Sequence, residues 1–107
     1  MKSLLLSTSI VLATATGALA GDLSSSQAGF VYAQQYCAKC HGLSAEPSPL
    51  PQAPRFKDVA EQPGITAMSL QVWLQTSHPT MPNIIIEPKD MSNVIAYILS
   101  LKGREVR

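Results

Sequence analysis

Apolar side chains recur at helical spacing in several stretches of this chain, and proline or glycine punctuates the gaps between them. Phe30, Ala33, Cys37 and Cys40 stand at i, i+3, i+7 and i+10, one continuous helical face. Ser24 and Gln27 have the spacing of an N-cap and its N3 partner, so a first helix is expected from about Ser26 to Cys40. Gly29 inside it costs ~1 kcal/mol relative to alanine, which makes sense where another helix crosses closely. Gly42 to Pro54 carries Pro47, Pro49, Pro51 and Pro54, which remove donors and fix φ, so an extended loop follows. Arg55 to Ala60 predicts a short helical turn stopped by Pro63-Gly64. Thr66 or Ser69 then caps a second helix through Leu70, Trp73, Leu74 and Ser77, with Trp73 expected in the core. The segment Ser77-His78-Pro79-Thr80-Met81-Pro82 cannot continue that helix. After the apolar run Ile84 to Ile86, Pro88 opens a last helix with Asp90 near its N-terminus. Met91, Val94, Ile95, Ile98 and Leu101 keep its period until Gly103. The pattern is all-α, three to four short helices with no internal repeat.

The first twenty residues stand apart. Lys2, an apolar middle and the Ala18-Leu19-Ala20 site describe a secretory signal peptide over 1–20, cleaved after Ala20. Thr14, Thr16 and Gly17 leave the segment short of a ~20-residue membrane span, the alternative being an uncleaved anchor. The remaining 21–107 suffices for one small domain of a size that usually needs a staple beyond its apolar core. The 8 basic and 7 acidic residues give the whole chain a net charge of +1, and losing Lys2 with the leader leaves the rest neutral. A nucleic-acid partner would call for a basic surface, which is lacking. Lys102, Arg104 and Arg107 form a mild cluster that reads as a solvated tail.

The candidate chemistry lies in Cys37-Ala38-Lys39-Cys40-His41. C-x-x-C-H is the signature of c-type haem attachment. At i, i+3 and i+4 the two thiols can reach the two vinyl groups of one porphyrin, and the imidazole comes under the iron as proximal ligand. A redox-active or structural disulfide and a zinc site are the rivals. The first motif belongs beside a βαβ pattern, which is not visible. The second would have to use Cys37, Cys40, His41 and His78 and lacks the usual two well-separated ligand pairs. Attachment takes place outside the cytoplasm, so motif and leader predict each other, and a covalent haem c would be the missing staple. A carbonyl of the proline loop, with Pro54 the candidate, can hold the second nitrogen of His41. The 77–82 loop suits a second axial ligand, which His78 and Met81 can both offer. Ile84 to Ile86 would pack along the haem edge.

With these residues in view, the chain resembles class I cytochrome c, specifically the small exported bacterial monohaem type. The likeness rests on Gly29 eight residues before Cys37, on CAKCH, on the APRF segment around Pro54, on Met81-Pro82 and on a last helix reading NVIAYILSL. It implies the cytochrome c fold, one covalently bound haem c and a crossing of the first and last helices with Gly29 against Tyr97. Ala33 stands where many members carry an aromatic, which predicts looser packing there. The family's methionine ligand precedes a proline, which selects Met81 over Met68 and Met91, so the implied iron ligands are His41 and Met81. The implied function is periplasmic electron transfer between Fe(III) and Fe(II), without enzymatic turnover. Partners would be redox proteins such as an oxidase, reductase or dehydrogenase, with no strong membrane association after leader cleavage. The rival functions are a haem-based catalyst or ligand sensor, and an electron-entry subunit of a larger dehydrogenase or oxidase.

Overall fold

Ser24 opens the first helix through reciprocal bonds with Gln27. Gln27 N–H donates to Ser24 Oγ at 3.3 Å and Ser24 N–H donates to Gln27 Oε1 at 3.0 Å. The computed structural model describes residues 23–76, 78 and 81–104. The signal peptide read over 1–20, the helical placement of Ser77 and the tail residue Arg107 lie outside them. Four helices follow in order: α1 (Ser25–Tyr36), α2 (Phe56–Glu61), α3 (Ala67–Gln75) and α4 (Pro88–Ser100). Among the described residues there is no strand, and no helix is long and apolar enough to cross a membrane.

α1 stops at Tyr36, four residues before the end its periodicity predicts. Cys37 caps it, donating to Ala33 O at 2.8 Å, and Ala38 N–H turns back to the same carbonyl at 3.0 Å. The chain then tightens into a turn in which Cys37 O accepts from Cys40 N–H at 3.1 Å and His41 N–H at 2.9 Å. Because such a turn keeps i+3 and i+4 spacing, periodicity alone cannot tell it from more helix.

α3 begins with a second reciprocal cap. Ser69 N–H donates to Thr66 Oγ1 at 3.1 Å, and Thr66 N–H donates to Ser69 Oγ at 2.8 Å. Pro88 occupies the first turn of α4, where a missing N–H costs nothing, and Gly103 follows the helix at φ +69°. Met91, Val94, Ile95 and Ile98 bury one stripe of α4 against Ala33, Leu43, Phe56, Ala60 and Leu70.

The crossing of α1 and α4 closes the domain. A Cβ built on Gly29 would stand 1.9 Å from Asn93 O and 2.9 Å from Tyr97 Cβ, so only glycine lets the two backbones approach this far. Ala33 is wholly buried there. The aromatic area missing at that position is supplied one turn earlier, where the Phe30 ring lies 5.2 Å from that of Tyr97.

α2 fastens the far end of α4. Lys57 Nζ donates to Glu61 Oε1 at 2.6 Å and to Leu101 O at 2.9 Å, and Gly103 N–H donates to Glu61 Oε1 at 2.7 Å. The Leu101 carbonyl left over at the helix end is thereby satisfied.

Candidate functional site

The turn after α1 brings Cys37, Cys40 and His41 together. Both thiols are free and half-buried. Burial, and then the neighbouring Cys40, push the Cys37 thiol up to about 11. Thiol–disulfide catalysts depend on the opposite shift, a thiolate stabilised near neutral pH. Among the described residues no three of His, Cys, Asp or Glu gather around a common point for a metal ion, so Cys37, Cys40, His41 and His78 do not converge on one.

His41 Nδ1 lies 2.7 Å from the carbonyl oxygen of Pro54. A carbonyl can only accept, so Nδ1 carries a proton, and in the neutral ring Nε2 is the nitrogen with the lone pair. The ring is also steadied by Phe56, 5.2 Å away, and the Phe56 ring lies 6.3 Å from Tyr97. The helix crossing and the imidazole are therefore ends of one aromatic chain. Tyr97 adds a polar tie, its hydroxyl donating to Leu43 O two residues beyond His41. Burial raises the Tyr97 phenol, with Glu46 adding to the shift, so the hydroxyl remains a donor.

The loop between His41 and α2 is held by its own polar groups. Glu46 accepts from Leu43 N–H at 2.7 Å and Ser44 N–H at 3.0 Å, and Ser48 Oγ accepts from Gly42 N–H at 2.9 Å. Leu50 N–H donates to Cys40 O at 3.1 Å, and Phe56 N–H donates to Gly42 O at 2.8 Å. Gly42 has no room for a side chain, since a Cβ would fall 2.1 Å from Glu46 O. Glu46, Phe56 and Tyr97 take part in the site without having been singled out for it in the sequence. Residue type alone gave no signal for them: Phe56 and Tyr97 act through contacts distant along the chain, and Glu46 through a local turn that the proline spacing does not mark.

On the other side, Met81 is half-buried and its N–H donates to His78 O at 3.2 Å. His78 is engaged locally, with Nδ1 3.2 Å from Thr76 O and its ring edge-on to Trp73 at 5.2 Å. Trp73, expected in the core, is 55% exposed. Met68, Val72 and Ile85 are also exposed, while Leu70 of the same helix α3 is buried. Ile84 and Ile86 are half-buried.

This donor set suits a haem c. The turn offers two thiols three residues apart and one imidazole whose Nδ1 is bonded to a carbonyl. A porphyrin supplies four iron ligands itself, so no cluster of three protein ligands is required.

A family model described as Cytochrome c matches residues 26–102. Comparisons with curated proteins and with solved structures gave no match.

Proposed function

The chain belongs to the cytochrome c family, whose members carry covalently bound haem c and transfer electrons, and on that premise we propose that it is a periplasmic one-electron carrier with His41 and Met81 as the iron ligands. Bound haem c supplies the couple between ferric and ferrous iron. Cys37 and Cys40 anchor it by thioethers. His41 presents Nε2, oriented by the bond from Nδ1 to Pro54 O, and that bond is the observation that carries this reading most directly. Met81 offers the second ligand. Pro82 directly after Met81, the order in which the family's methionine ligand stands, supports the methionine over the histidine. A thioether favours ferrous iron, which raises the potential relative to two imidazoles. Held by both His41 and Met81, a bound haem would leave substrate no open position, so the protein would carry electrons and not turn over a substrate.

Export follows from the leader over 1–20, cleaved after Ala20, and the partners are redox proteins of the oxidase, reductase or dehydrogenase kind. The test is a mass and a spectrum. Purified protein should have the mass of residues 21–107 plus one haem that resists acid-acetone extraction. Its ferrous form should bind carbon monoxide poorly. Ready carbon monoxide binding with substrate turnover would move the protein to the catalyst or sensor class.

A further inference from the structure

Pro54 supplies the carbonyl that orients His41, yet Pro54 is exposed and stands in a proline-rich loop. Outside it lies an open hollow of about 440 Å³, lined in part by Pro51, Pro54 and Arg55. The loop is spanned by backbone bonds from Phe56 N–H to Gly42 O at 2.8 Å and from Lys57 N–H to Ser44 O at 3.2 Å, and by the side chain of the residue next to Pro54. Arg55 Nε and Nη2 donate to the two carboxylate oxygens of Asp58, each at 2.7 Å, and Nη1 donates to Ala45 O at 2.8 Å. One rigid planar group thus ties the first turn of α2 to the opposite strand of the loop. An exposed arginine–aspartate pair by itself contributes little to stability. The third bond, to backbone ten residues away, turns the pair into a strut.

We propose that Arg55 is a positioning residue for the iron's imidazole, holding Pro54 O against His41 Nδ1 and so setting how strongly His41 donates to the metal. The proposal rests on the reading of His41 as iron ligand. A firm bond from Nδ1 makes the imidazole more basic and favours ferric iron, and a slack one favours ferrous iron.

The experiment uses the haem-loaded protein with Arg55→Gln, Arg55→Lys and Asp58→Asn. Arg55→Gln should shift the ferric–ferrous equilibrium about three- to tenfold toward ferrous, tenfold being about 59 mV for one electron. Exchange of the His41 ring N–H with solvent, followed by NMR in the ferrous state, should quicken about tenfold. Arg55→Lys and Asp58→Asn should fall between, and Asp58→Asn carries the test if Arg55→Gln does not fold. Lower thermal stability with unchanged potential and unchanged exchange would reduce Arg55 to a structural residue and overturn the proposal. Wild-type His41 ring resonances lacking the shifts of an axial ligand would instead remove the premise, and the proposal with it, an outcome visible before any variant is made.

Discussion

The His41 side and the Met81 side of the domain are built in opposite ways. Around His41 the loop's backbone amides and carbonyls are taken up by Glu46, Ser48, Gly42, Cys40 and Arg55, and the imidazole is bonded on one edge and packed by Phe56. Around Met81 the described bonds are local ones, from Met81 N–H to His78 O and between His78 and Thr76, and large apolar side chains are left uncovered. The imidazole is oriented by protein alone. Among the described residues no hydrogen bond orients the Met81 side chain in the same way.

Met81→Ala should give the largest effect. The ferrous protein should take up carbon monoxide readily, and the potential should fall on the order of 0.2 V, a part of the ~0.8 V that axial ligation spans. If His78→Ala does this and Met81→Ala leaves the visible spectrum unchanged, the two sides have been assigned to the wrong ligand. Next in size is an order of events. On heating or in denaturant, the absorption signature of the methionine bond should vanish before far-ultraviolet circular dichroism reports loss of helix. Coincident midpoints would mean that the two sides are equally secured.

A smaller effect is expected from Glu46→Ala, which leaves the N–H groups of Leu43 and Ser44 to water. Unfolding in urea should show a loss of about 1 kcal/mol, with Met81 ligation undisturbed. The smallest is an acid effect. The hydrogen bond from Arg55 holds the Asp58 carboxyl below its ordinary value of 3.8, and bonds from Lys57 and Gly103 hold Glu61 below 4.5. Groups whose folded values are depressed stabilise the fold above their unfolded values and cease to do so as pH falls through the folded ones. Melting temperature should therefore be flat with respect to these two carboxyls above about pH 5 and decline below about pH 4, and Asp58→Asn should remove part of that decline.

Helix signals in this sequence are local, and local signals were readable. Ser24 with Gln27, Thr66 with Ser69, Pro88 and Gly103 bound their helices where spacing and backbone chemistry put them. α1 was read too long because a turn at Cys37 imitates helical period. Trp73 was read as core because a tryptophan on an apolar helical face ordinarily packs on polypeptide, and here the expected cover is a cofactor no residue encodes. C-x-x-C-H marks its own chemistry at five consecutive positions. The Arg55 strut carries a fainter mark, an arginine directly after Pro54 and three before an aspartate. What that guanidinium reaches, a carbonyl ten residues back, is a product of the fold.

Gly29 has a consequence for timing. The face of α1 that it opens is matched only by Asn93 and Tyr97, on the last helix of the domain. A chain delivered from its N-terminus exposes Cys37 and Cys40 while that helix is still to come, since folding follows the order in which segments appear. Cys37 comes to lie against a complete core only when α4 arrives and seats against the glycine.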